Sequence, residues 1–276
     1  MTDSAIAPPT VRTVVDALDT RFPRAWAEQW DRVGLVLGEF DTPVSTVLCV
    51  VDCVPETVEE AVAVGAGLIV AHHPLLLKGV SSVAPDTYKG RIVHRLIKAD
   101  IALYVAHTNA DVANPGVSDA LAARLDLVHL RPLVPAEPDT GRGIGRVGEL
   151  AAPMPLAELT TFVARRLPPT AAGVRAAGDP QRLIRTLAVC GGAGDSFLTD
   201  AGVAGADAYL CADLRHHPAS EHLATGGPAL LDAAHWATER PWLDELAGWL
   251  RAQFPVTSLV SDLDTDPWTV HAVSGK

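Results

Sequence analysis

Histidines and carboxylates recur in this chain at the ends of apolar runs. Gly67-Leu68-Ile69-Val70-Ala71 closes on His72-His73-Pro74, and Ile101 to Ala106 closes on His107-Thr108-Asn109-Ala110-Asp111. A third run, Ala229 to Ala234, apolar but for Asp232, closes on His235, with Glu239 four residues later. Imidazoles and carboxylates without thiolate suit first-row divalent ions such as zinc, manganese, iron, cobalt or nickel, and do not choose among them. The candidate ligands are therefore His72, His73, Asp111, His235 and Glu239. Adjacent residues of an extended chain point to opposite sides, so one ion takes both His72 and His73 only if the backbone turns between them. Two ions, one ring each, is the easier arrangement; the plain alternative is a surface histidine pair at a strand end.

Five side chains are too few to fill two coordination shells, which leaves room for water. Two close ions sharing a water provide a metal-bound hydroxide at neutral pH and clamp a substrate oxygen, the usual arrangement for hydrolysis. His107 is then a candidate proton shuttle, or else a residue that orients a ligand, and His217 within Asp213-Leu214-Arg215-His216-His217 is read the same way. His94, His129, His222 and His271 are read as ordinary surface or core histidines. The stretch Cys190-Gly191-Gly192-Ala193-Gly194-Asp195-Ser196 offers either bare amides for a phosphate or a plain tight turn.

The elements that must position these groups follow from periodicity. Thr10 is a fitting N-cap for a helix through Val11, Val14, Val15 and Leu18, and a short helical stretch follows Pro23. Trp30 to Gly38 reads as a turn into a strand with a tryptophan anchor in the core. Thr46 to Val51 is a strand, Pro55 opens a helix that stops at Gly65 and Gly67, and a helix over about 88–98 leads to the strand 101–106. This β-α-β-α-β alternation favours a mainly parallel sheet, whose ligands bind beyond the carboxyl ends of the strands. From Leu130 to Gly145 prolines and glycines predict a loop; a strand near 146–150, a helix near 156–166 and a strand over 173–177 follow.

An internal echo supports two related lobes. Shifted by 140 positions, Val47 to Val50 falls on Leu187 to Cys190; shifted by 128, Ile101 to His107 falls on Ala229 to His235. Both histidine segments carry a carboxylate four residues on. The expected fold is thus two α/β lobes, residues 1–126 and 127–276, with mainly parallel sheets and a dinuclear metal site in the cleft between them.

With 276 residues, 48% apolar, 20% charged and a net charge of −11, the chain is a compact soluble protein and not one built to grip phosphate backbones. Nucleic acid is therefore not an expected partner. The first ten residues have no basic start or apolar core of a signal peptide, and no run is long enough to span a bilayer, which points to the cytoplasm. Cys49, Cys53, Cys190 and Cys211 are read as reduced core residues.

Several motifs run in a fixed order across nearly the full length: Trp30-Asp31-Arg32-Val33-Gly34-Leu35, His72-His73-Pro74-Leu75, His107 to Asp111, Gly143-Ile144-Gly145-Arg146-Val147-Gly148, Cys190 to Ser196, Asp213 to His217, and His235 with Glu239. Together they resemble the NIF-three-like family of dinuclear-metal hexameric proteins, also called GTP cyclohydrolase type-two homologues. The resemblance implies a toroidal homohexamer, two divalent ions per chain on His72, His73, Asp111, His235 and Glu239, and a bridging role for Glu239. Ala234 stands where the family commonly has a glycine, and the extra middle domain of longer members is missing. The expected function is metal-dependent hydrolysis of a nucleotide or other phosphorylated compound. Its rival is a non-catalytic ring that stores or delivers metal or serves as a scaffold.

Overall fold

The computed structural model describes residues 7–272. In chain order the elements are α1 (Val11–Arg21), β1 (Gly34–Leu37), β2 (Thr46–Val50), α2 (Pro55–Ala63), β3 (Leu68–Ala71), α3 (Tyr88–Lys98), β4 (Ala102–Val105) and the short α4 (Thr108–Asp111). Then come α5 (Val117–Arg124), β5 (Val128–Pro135), β6 (Gly143–Pro155), α6 (Leu156–Arg166), β7 (Val174–Ala177) and β8 (Leu183–Ala193). The remainder is α7 (Leu198–Val203), β9 (Ala208–Ala212), α8 (His216–Ala224), β10 (Ala229–Ala233), α9 (His235–Gln253) and β11 (Thr257–Val260). The fold is α/β with two sheets.

One compact unit comprises residues 7–110 together with Leu243–Thr265. Its sheet has the order β1-β4-β3-β2-β11, with β4, β3, β2 and β11 parallel and β1 antiparallel at the edge. Leu48, Val50, Ile69, Ala71, Leu103 and Val105 form one face and pack with Val58 and Ala61 of α2 and Ile92 and Leu96 of α3. On the other face Val47, Cys49, Leu68, Val70 and Tyr104 are buried as well. Burial on both sides explains why these strands read as continuous apolar runs rather than as alternating ones. Thr10 Oγ1 accepts a hydrogen bond from the Thr13 amide at 3.3 Å and so caps α1 as expected.

The other unit comprises Asp111–Trp242 and residues 266–272. Its sheet has the order β5-β6-β8-β9-β10-β7; β8, β9 and β10 are parallel, and antiparallel strands flank them. Where a single break at 126/127 is expected from the sequence, both units draw on two separate stretches of chain. The C-terminal strand β11 supplies one reason, since it pairs with β2 in register Thr257 to Thr46.

The internal echo has a counterpart in topology. Order and direction in β1-β4-β3-β2 match those in β7-β10-β9-β8, an antiparallel edge strand followed by three parallel ones. Helices α1, α2, α3 and α4 correspond along the chain to α6, α7, α8 and α9. His107 and His235 hold equivalent places, each two residues beyond the end of its strand.

The expected loop from 130 to 145 is instead mostly strand. Pro132 and Pro135 lie in β5, an edge strand hydrogen-bonded only to β6, where a proline without an N–H costs no ladder bond on the outer side. Gly143, at φ +156°, lets β6 pass Val134, whose carbonyl oxygen would stand 2.2 Å from any Cβ there. Trp30, expected as a core anchor, is 55% exposed.

Candidate metal centre

β3 and β4 deliver three histidines at their carboxyl ends. His72 and His73 follow β3 directly, and His107 follows β4. One ligand atom from each of the three lies within 4.8 Å of the other two, a spacing that can hold a metal ion. The backbone does turn between His72 and His73. Their amides donate to successive carbonyls, Val50 at 3.0 Å and Val51 at 2.8 Å, whereas in a regular strand only alternate amides face the same neighbour. As a result the two rings lie 5.1 Å apart, tilted by 38°, instead of on opposite sides.

Each ring is fixed through Nδ1. His72 Nδ1 is 2.9 Å from the Ala106 carbonyl, His73 Nδ1 is 2.7 Å from Asp52 Oδ1, and His107 Nδ1 is 2.9 Å from Asp31 Oδ1. A carbonyl or carboxylate can only accept, so in the neutral ring Nδ1 carries the proton and Nε2 the lone pair. That is the orientation of a metal-ligating histidine held by an outer carboxylate. Asp31 is itself fixed by Thr108, whose amide and hydroxyl donate to Oδ2 at 3.0 and 2.5 Å, and by the Arg32 amide at 2.7 Å to Oδ1. Burial alone would raise the Asp31 pKa; the hydrogen bonds from His107 and Thr108 outweigh it and hold the carboxyl well below its usual range. Asp52 accepts from Thr265 Oγ1 on its second oxygen.

The other unit places a second set at equivalent strand ends. His235 opens α9, and Glu239, one turn later on the same face, brings Oε1 to 3.0 Å from His235 Nε2. His235 Nδ1 is 2.7 Å from Asp213 Oδ2, just beyond β9. Burial would lower the His235 pKa, but the two carboxylates, Glu239 first, push it up to about 11. The two carboxylates thus favour positive charge on this ring. Asp111 ends α4; after burial it is the leading cause that pushes the Cys190 thiol up to about 12, and Glu239 adds to it. Both carboxylates thus act on one buried sulfur.

The glycines after β8's apolar run pack against this set. Gly191 N donates to Ser118 Oγ at 3.2 Å, Gly192 N to Thr238 Oγ1 at 2.9 Å and Gly194 N to the Ala212 carbonyl at 3.3 Å, so these three amides are engaged. Gly192 adopts φ +70°, and a Cβ there would stand 2.3 Å from Glu239 Oε1 and 3.0 Å from His235 Nε2. The bare backbone makes room for the two side chains. Thr238 also donates to the His235 carbonyl at 2.7 Å, which ties the helix start to the same turn.

His217 lies in the exposed first turn of α8 with its ring 5.1 Å from that of His216. His222 bonds the Pro228 carbonyl at 3.0 Å, in keeping with an ordinary role. Asp31, Asp52 and Asp213 carry no assigned role in the sequence. Only their position, at or near strand ends beside histidine-bearing ones, hints at a role, and no fixed spacing ties each to its ring. Arg146, in the Gly-Ile-Gly-Arg motif, is buried and donates to both Asp119 oxygens at 2.7 and 2.6 Å and to the carbonyls of Gly143, Gly145 and Ala113. Gly143 N donates to the Val112 carbonyl at 2.9 Å, so this motif braces the residues directly after Asp111.

The donor chemistry fits divalent ions: histidines with Nδ1 anchored, and carboxylates that gather positive charge. Among the described residues, no helix is long and apolar enough to cross a membrane. The chain is similar over its length to known proteins. A Streptomyces coelicolor protein called "GTP cyclohydrolase 1 type 2 homolog" is 55% identical, with 96% of each chain covered. A Mycobacterium tuberculosis protein of the same name is 37% identical, covering 95% of this chain and 97% of its own. Among solved structures, a Staphylococcus aureus hypothetical protein superposes with a TM-score of 0.86 at 27% identity, covering 96% of this chain and all of that one. A Bacillus cereus protein related to NIF3 reaches 0.88 at 24% identity over 96% of this chain and all of its own, a likeness of fold. The sequence profile of Duf34/NIF3 (NGG1p interacting factor 3) matches residues 9–267, and with it the chain belongs to the Duf34/NIF3 family.

Proposed function

We propose that this chain holds two divalent metal ions through His72, His73, Asp111, His235 and Glu239, and uses them to hydrolyse a nucleotide or similar phosphorylated compound. The observation that carries the metal reading is the shared anchoring of the ligand histidines His72, His73 and His235, each with Nδ1 against an oxygen acceptor within 2.9 Å. Histidines that merely fill a core have no need of one common tautomer. Glu239, buried and aimed at His235, is the candidate for sharing between ions. The name of the 55% identical relative supports a nucleotide substrate and a hydrolytic ring-opening.

Bound divalent ions would supply Lewis acidity and an activated water nucleophile. His107 is the group assigned to move protons: its Nε2 accepts, and Asp31, already ionised and fixed by Thr108, stabilises the imidazolium that forms. His217, exposed on α8, is the lesser candidate. The family resemblance also supports a cytoplasmic homohexamer of about 174 kDa, six times the 29.0 kDa chain.

Elemental analysis of protein purified without added metal tests the first part, and a panel of GTP, other nucleotides and phosphoesters tests the second. The expected result is bound divalent metal and turnover of at least one compound, both reduced in His73→Ala and Glu239→Ala. Stoichiometric metal without turnover anywhere would leave the non-catalytic metal-binding ring. Light scattering of the eluting protein gives the mass of the assembly.

A further inference from the structure

We infer that Trp30 is a stacking platform that selects a planar heteroaromatic ring, such as a nucleobase, for the candidate centre; this rests on the metal-site reading above. Its ring centroid lies 5.9 Å from that of His107 at 78°, an edge-to-face contact, and His107 in turn belongs to the cluster with His72 and His73. More than half of the Trp30 surface nevertheless faces solvent.

Such exposure is not slack in the chain. The Asp31 amide donates to the Glu28 carbonyl at 2.9 Å, the Glu28 amide to Thr108 Oγ1 at 3.0 Å, and the Asp31 carboxylate accepts from Thr108 and His107. The residues on both sides of Trp30 are therefore held by the segment that carries His107. A large apolar ring kept in water on a fixed backbone, at the carboxyl end of a parallel sheet, is placed where α/β proteins bind ligands. An indole offers a broad, flat π face, and a planar ring of comparable size covers it best. A quaternary ammonium also binds such a face, so the test includes one.

The full chain with bound metal is dialysed against guanosine, ribose and choline, with metal content measured on every sample. Guanosine is expected to bind and the other two are not. Trp30→Ala should weaken guanosine binding about 10-fold or more, whereas Trp30→Phe should stay within about 3-fold of the original. Equal binding by the original chain and Trp30→Ala would overturn the assignment. So would binding of ribose or choline as tight as guanosine, or no guanosine binding by metal-replete protein. Failure to hold metal would overturn the reading it rests on, and metal content separates that failure from loss of ring binding at full metal.

Discussion

Gly192 and Glu239 approach so closely that a Cβ on the glycine would stand 2.3 Å from Glu239 Oε1. Gly192→Ala therefore displaces the carboxylate and, at φ +70°, strains the backbone by about 1–2 kcal/mol. Divalent-metal affinity is expected to fall at least 10-fold, about 1.4 kcal/mol, in competition with a chelator. Gly65 has nearly the same φ, +66°, with nothing within 4 Å of a Cβ. Gly65→Ala should cost about 1 kcal/mol of stability and no metal affinity, which separates crowding from backbone strain.

The carboxylates behind the histidines make a second prediction. Asp52→Asn and Asp213→Asn keep the shape but let the amide present a donor to Nδ1, which favours the wrong tautomer. Metal affinity should drop about 10- to 100-fold in each. Isothermal titration with zinc or manganese gives the comparison.

Arg146 is a structural test of the brace after Asp111. Removing a buried guanidinium leaves Asp119 with the Gly116 amide but without its paired cation, and takes the same donor from three carbonyls, so Arg146→Ala should cost about 3–5 kcal/mol in denaturant unfolding. Lysine cannot reproduce the paired geometry at Asp119, so Arg146→Lys should recover only a minor part.

All four cysteines are buried and reduced. Burial, with Asp52 adding, pushes the Cys53 thiol up to about 12, and burial with Asp111 and Glu239 does the same for Cys190. The sign is toward the protonated, unreactive thiol. At pH 8 a thiol reagent should leave the folded chain untouched and label four groups after denaturation; rapid labelling of the folded chain would contradict it.

Much of this arrangement is legible before any coordinates. Apolar period and caps fix α1, and α3 and α6 span the expected residues, because helix signals are local. The His-x-x-x-acid echo is legible for the same reason, being tied to the start of a helix. β5 is missed because Pro132 and Pro135 look like breakers until the strand is known to lie at an edge. Asp31, Asp52 and Asp213 stay hidden because their meaning comes from strand order: Asp31 lies 76 positions from His107, and Asp52 lies 21 from His73. Gly192 is visible as a motif, but its purpose depends on what a side chain would strike.

The pairing of β11 with β2 bears on how the chain is made. Cys49 and Ser258, 209 positions apart, meet across that junction. During synthesis β2 therefore waits with one edge bare until residues 257–260 leave the ribosome, and long-range pairing of this kind is slow. An apolar strand with an open ladder is a template for sticking to other chains. Nascent chains stalled before residue 257 should be the form that most needs a chaperone.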